Sequence, residues 1–105
     1  AKLYVVDVTV PSAPVKAGQV TLGTIGIEQA AFYGDRYLIT ACRTPHTLDV
    51  VDIGNPASPQ FLSSVPLASA TRTDRIVYSN GRLYVSEPIP AGVIHVLRIV
   101  GGKQA

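Results

Sequence analysis

The feature that most limits what this chain can fold into is an internal repeat. Leu3-Tyr4-Val5-Val6-Asp7-Val8 returns 45 residues later as Leu48-Asp49-Val50-Val51-Asp52-Ile53. Four residues past each aspartate a proline pair begins, Pro11 and Pro14, then Pro56 and Pro59. A second element, Tyr33-Gly34-Asp35-Arg36-Tyr37-Leu38-Ile39, aligns with Ser79-Asn80-Gly81-Arg82-Leu83-Tyr84-Val85 at an offset of 46. A third copy of the first element begins at Ile94, 46 after Leu48, with Arg98 in place of the aspartate. Agreeing offsets of this size mark a repeat architecture, in which one supersecondary unit is copied along the chain.

The unit is made of strands. Its runs are rich in Val, Ile, Leu and Tyr and are bounded by Gly, Pro, Asn and Asp, the punctuation of strands and turns. No stretch keeps a helical period with caps, so no helix is expected. The complete unit reads as strand a at about 28–33, a turn at Gly34-Asp35, strand b at about 37–42, strand c at about 48–53 and strand d at about 60–65. The loop Arg43-Thr44-Pro45-His46 joins b to c, and Asn55-Pro56-Ala57-Ser58-Pro59 joins c to d. Proline presets the φ of a type I turn and cannot donate to a ladder, so the paired prolines mark the turn. Four strands in about 45 residues is the size of a β-propeller blade. The alternative, an immunoglobulin-like sandwich, does not predict the period, and the Cys…Trp…Cys signature is absent.

The expected fold is all-β: a partial β-propeller of about two and a quarter repeat units of four-stranded antiparallel blades, without helix. Residues 1–25 supply strands c and d of an incomplete blade, and 26–67 form one complete blade. Residues 68–99 supply strands a to c of a third, and 100–105 form a flexible tail. Nine strands cannot close a ring of 4–8 blades alone. With no methionine and a strand-like opening at Leu3, the chain is expected to be the C-terminal part of a longer propeller. Self-assembly of several copies is the alternative.

Composition excludes several classes. Of the 105 residues 47% are hydrophobic and 15% charged, which is not a disordered composition. A net charge of +2 gives no electrostatic case for nucleic acid. No apolar run reaches the roughly 18 residues of a membrane span. The one cysteine, Cys42, allows no internal disulfide.

Leu48-Asp49-Val50-Val51-Asp52-Ile53-Gly54-Asn55-Pro56-Ala57-Ser58-Pro59 closely resembles the LVIVD repeat, an aliphatic strand, an aspartate and an Asn-Pro-x-x-Pro turn. Residues 3–14 resemble a weaker copy, and 94–99 keep only the strand. The resemblance implies a β-propeller and an exported, periplasmic or cell-surface location. It implies no activity and no cofactor.

In a propeller the b–c and d–a loops share one face, where loops on a rigid scaffold carry ligands. Candidate ligand-binding residues there are Arg43, His46 and Glu87 from the b–c loops, and Glu28, Asp74 and Arg75 at the starts of the a strands. Glu28 and Asp74 are 46 apart, a matched carboxylate pair that Arg72 and Arg75 can neutralise. Cys42 and His46 offer a thiol and an imidazole without further ligands or a third catalytic group, and read as a buried thiol and an exposed loop histidine. No catalytic residue and no metal site is assigned. Asp7, Pro11, Pro14, Asp52, Asn55, Pro56 and Pro59 read as turn architecture, the aspartates bonding turn amides. Arg36 and Arg82 read as surface charges. The expected function is a non-enzymatic binding or assembly module that contacts a protein or glycan through loops on one face. The alternatives are the fringe of an active site at the channel of a complete propeller, and a structural subunit that completes a larger complex by β-edge pairing. Partners are the remaining blades or other chains at open blade edges.

Overall fold

The computed structural model describes residues 1–43, 46–67, 73, 75–87 and 92–99. Among them are nine strands and no helix: β1 (Lys2–Asp7), β2 (Val15–Thr21), β3 (Gly26–Tyr33), β4 (Tyr37–Arg43), β5 (Thr47–Asp52), β6 (Gln60–Pro66), β7 (Arg75–Ser79), β8 (Arg82–Glu87) and β9 (Val93–Leu97). They form three antiparallel sheets, β1-β2, then β3-β4-β5-β6, then β7-β8-β9. Each sheet is a meander, so its strands neighbour in space as they do in sequence. Asp74, Arg72, residues 44–45, residues 88–90 and the tail 100–105 lie outside the described residues.

The repeat is visible in local geometry. Each c–d pair has a β-bulge at the same place, between Val5 and Val6 and between Val50 and Val51. Ala13 N donates to Val10 O at 2.9 Å, and Ser58 N donates to Asn55 O at 3.0 Å. Both bonds close β-turns with proline at the second position, Pro11 and Pro56, where its fixed φ fits. Pro14 and Pro59 follow these turns and precede strand d. Leu22 N donates to Ala1 O, and 45 residues on Leu67 N donates to His46 O.

Side-chain alternation then decides the packing. On one face of the middle sheet, Tyr37, Ile39, Ala41 and Leu48 meet Ile76, Leu83 and Val85 of the third sheet. On the other face, Cys42 and Val51, with Leu38 and Ile53, meet Leu3, Val20 and Leu22 of the first sheet. Val51 is 0% exposed. Burying a side chain of this size contributes about 1.5–3 kcal/mol. The middle sheet is thus the shared wall of two cores.

The third sheet departs from the 46-residue offset by one residue after its first turn. Tyr33 pairs with Tyr37 across three residues, whereas Ser79 pairs with Arg82 across two. The shorter turn is Asn80-Gly81, with φ of 51° and 77°. Two successive positive φ values belong to the tight hairpin turn that Asn-Gly favours. Past that turn the offset falls to 45, and Leu83, not Tyr84, takes the place of Leu38. A one-residue slip exchanges the two faces of a strand. Leu83 is therefore buried against the middle sheet while Tyr84 faces outward. β9 returns to the offset of 46, because Leu97 pairs with Leu83 as Val51 pairs with Leu38.

Two contacts lock the sheets together. The Tyr33 hydroxyl donates to Gly81 O and accepts from Ile99 N at 2.9 Å. Its ring meets Tyr78 edge-on at 5.0 Å. On the other side, Gly18 of β2 lies against the Pro56-Ala57 turn. A Cβ at Gly18 would sit 2.4 Å from Pro56 O. Backbone cannot yield cheaply there. We expect Gly18→Ala to lower stability by about 1–3 kcal/mol, as overpacking does. Gly23, with nothing near its would-be Cβ, should accept alanine within about 0.5 kcal/mol. Urea midpoints of the two variants check this; equal midpoints contradict the docking of the turn on β2.

Candidate functional site

The strand ends form two rims that differ in chemistry. The rim of the a–b and c–d turns satisfies its own polar groups. Asp7 accepts from the amide of Thr9 at 2.8 Å and from its hydroxyl. Those bonds hold the Asp7 carboxyl below its usual range, the hydroxyl bond contributing most. Asp52 accepts from Gly54 N at 2.8 Å, and Asn55 Oδ1 accepts from Ala57 N. Arg36 donates to Asp52 Oδ2 through Nε and Nη2, at 3.1 and 2.9 Å. The guanidinium, with the Gly54 amide second, holds the Asp52 carboxyl below the usual range. Arg36 is thus a clamp between the a–b turn and the c–d turn. Arg82 is exposed.

The opposite rim carries the b–c and d–a connections and most of the candidate ligand residues. Glu28 is the extra residue of a bulge in β3, between Ile27 and Gln29. A bulge re-aims a side chain. Here the carboxylate comes within 3.6 Å of Arg43 Nη1, and it accepts from Thr73 N at 3.5 Å. Arg43, not Arg75, is therefore the cation beside Glu28 among the described residues, and Arg72 lies outside them. Arg75 lies on the outward face of the third sheet, beside Val77, Tyr84, Ser86 and Ile94.

His46 departs from the expectation of an exposed loop side chain. It is 8% exposed, and its Nε2 shares a hydrogen bond with Thr73 Oγ1 at 3.2 Å. The physical reason is parity: His46 shares the face of Leu48, which is closed by the third sheet. Cys42 lies in the core between the first and middle sheets. The structure does not bring this thiol and imidazole together. Burial, the largest cause, also pushes the Cys42 thiol up, away from the thiolate that nucleophilic or metal chemistry needs.

Glu87 is not a loop residue but the last residue of β8, and it is 1% exposed. Its Oε2 contacts His95 Nε2. Sequence reading missed this pair, because the two residues become diagonal neighbours only through the β8–β9 register. They stand where Cys42 and Asp49 stand in the middle sheet. There Asp49 is buried and accepts from Thr47 and Ser64 hydroxyls at 2.9 and 2.7 Å. A polar pair facing the preceding sheet thus recurs with different chemistry.

Among the described residues, three buried polar atoms find no partner: Thr24 Oγ1, His46 Nδ1 and Glu87 Oε1. All three lie on the b–c/d–a rim. A group of three or more His, Cys, Asp or Glu spaced to hold a metal is absent among the described residues.

Two expectations follow. Wild type and Asp52→Asn should differ in melting temperature at neutral pH and converge as the pH falls below about 4. A depressed carboxylate stabilises above its unfolded pKa, and that contribution is lost as pH falls through the folded one. Parallel curves to pH 2 contradict the clamp. Second, His95→Ala leaves the Glu87 carboxylate buried without a partner and should cost about 3 kcal/mol. Glu87→Gln should cost less, as read from urea midpoints.

Compared with known families, residues 45–66 match the family model of the LVIVD repeat. That segment covers β5, the proline turn and β6. No curated protein and no solved structure matches the chain. By its aliphatic strand, its aspartate-capped proline turn and the strand that returns from it, this chain carries an LVIVD repeat.

Proposed function

We propose that the chain is a run of β-propeller blades serving as a non-enzymatic assembly and binding module. The observation that carries this is the pair of apolar faces at the two ends of the stack. In the third sheet, Val77, Tyr84, Ile94 and Val96 face outward, and Ile94 is 67% exposed. In the middle sheet the equivalents of Ile94 and Val96 are Leu48 and Val50, which the third sheet covers. At the other end Val6 is exposed, and its equivalent Val51 is covered by the first sheet. Each outward face therefore has the composition of a face that, one repeat away, is an interior. Contiguous exposed apolar surface of this kind marks an interaction site. The proposed occupants are further blades of the same architecture.

The rim of Arg43, Glu28, Thr73, His46 and Glu87 is the proposed contact surface for a protein or glycan partner. Unpaired buried polar atoms each cost about 1–3 kcal/mol, and those found here gather on that rim alone. An active site at the channel, the alternative reading, would draw on Glu28 and His46 of the same rim, while Arg75 faces outward and Asp74 lies outside the described residues. The LVIVD resemblance adds an extracytoplasmic location to the proposal.

Sedimentation velocity tests the blade reading. The wild-type chain should self-associate with rising concentration, and Ile94→Lys and Val6→Lys should each reduce that association. Ser12→Lys, in an exposed turn, should leave it unchanged. A monomeric wild type, or association that all three variants share, overturns the reading.

A further inference from the structure

The turn from β7 to β8 has two residues, Asn80 and Gly81, and this pair can react with itself. Asparagine occurs twice in the chain, at Asn55 and Asn80. Asn55 precedes Pro56, which has no amide proton to lose. Its side chain is also engaged, Oδ1 accepting from Ala57 N at 3.1 Å. Asn80 is exposed and precedes Gly81. Neither the Asn80 side chain nor Gly81 N makes a hydrogen bond among the described residues. A Cβ at Gly81 would meet nothing within 4 Å, so no neighbour crowds the backbone nitrogen. Ring closure between a side-chain amide and the next backbone nitrogen needs these three conditions: an unengaged amide, an uncrowded nucleophile and access of water. The corresponding turn of the middle sheet, Gly34-Asp35-Arg36, has no amide side chain to react.

We propose that Asn80-Gly81 is a self-modification site, and that its β-linked product unlatches the third sheet from the middle one. Gly81 N gives its proton to a base and attacks Asn80 Cγ. The bond from Cγ to Nδ2 breaks, ammonia leaves, and a five-membered imide remains. One water then opens the imide, and nothing is oxidised or reduced. Cleavage between Cγ and the nitrogen yields aspartate at position 80. Cleavage at the main-chain carbonyl yields isoaspartate, in which the chain runs through Cβ and Cγ. The two products differ in what they do to the turn. Aspartate keeps the backbone length and, like asparagine, is a residue that enters positive φ, here 51°. Isoaspartate adds a backbone atom to a turn of two residues, so the Gly81 carbonyl moves against the Ser79–Arg82 pair. That carbonyl accepts from the Tyr33 hydroxyl of β3, which accepts in turn from Ile99 N at 2.9 Å. The displaced group is therefore one end of the link between the two sheets. The same turn also decides which face of β8 is inside, with Leu83 buried and Tyr84 exposed.

The test ages the full chain in warm buffer and reads it by mass spectrometry and amide exchange. Trypsin cuts after Arg75 and Arg82 and releases residues 76–82 with the turn inside. The mass gain of acid over amide marks the reaction, and chromatography separates the two products. The reaction should run faster in alkaline than in weakly acidic buffer, with isoaspartate as the main product. In the chain that carries isoaspartate, the Ile99 amide should exchange about tenfold faster, the loss of roughly one hydrogen bond. Asn80→Gly keeps a residue that such turns accept and should show neither the mass gain nor the faster exchange. Freshly prepared Asn80→Asp should exchange like the wild type. An aged chain whose residues 76–82 keep their amide, while the same segment reacts in urea, overturns the proposal, since the native turn then holds the groups apart. Isoaspartate that leaves exchange at Ile99 unchanged also overturns it. So does faster exchange in fresh Asn80→Asp, which assigns the effect to charge rather than to backbone length.

Discussion

The structure depends on one sheet having two interiors. The middle sheet presents Tyr37, Ile39, Ala41 and Leu48 to one neighbour and Cys42 and Val51 to the other. An antiparallel sheet with one wet face alternates apolar and polar residues. β4 cannot, because both its faces are dry, and it reads Tyr-Leu-Ile-Thr-Ala-Cys. The flanking sheets are covered on one face only. Their outward strands nevertheless keep apolar residues, Tyr4 and Val6 at one end, Tyr84, Ile94 and Val96 at the other. The same pattern is a core in the middle of the stack and an exposed surface at its ends.

How much of this was legible follows from what each sequence signal controls. The period and the proline turns are local, so strand order and turn positions could be read from Leu3, Leu48, Pro11 and Pro56. Facing is not local. It depends on counting residues through each turn, and the Asn80-Gly81 turn is one residue shorter than its counterpart. That single residue decided whether Leu83 or Tyr84 was interior. The burial of His46 was hidden for the same reason. A residue beside a Pro-containing loop reads as exposed, and only its parity with Leu48 places it under the third sheet.

The rim residues show a second limit. Its spacing from Asp74 is what singles out Glu28 in the sequence. What gives it a role is a bulge that turns it toward Arg43 and Thr73, and a bulge leaves little trace in composition. The sequence offers Glu87 as a loop residue and gives no sign that it meets His95. Their contact depends on a cross-strand register, which neither residue specifies by itself.

The two rims also divide the work of the fold. On the a–b/c–d rim Asp7 and Asp52 each have a use inside the chain, and the turns are closed by their own amides and by Arg36. Such a rim has little unsatisfied capacity to offer a partner. The other rim holds a carboxylate oxygen, an imidazole nitrogen and a hydroxyl that burial has removed from water without giving them partners. In the two sheets that have both a b and a c strand, the matched positions hold Cys42 and Asp49 in one and Glu87 and His95 in the other. The backbone position is shared, while the chemistry differs from one repeat to the next. A scaffold repeat would favour the same residues each time, as the Asp-to-proline turns do at Asp7 and Asp52. Recognition is carried by a few placed polar groups rather than by the fold that holds them, which is why the proposed contact surface is the rim that holds these unpartnered atoms.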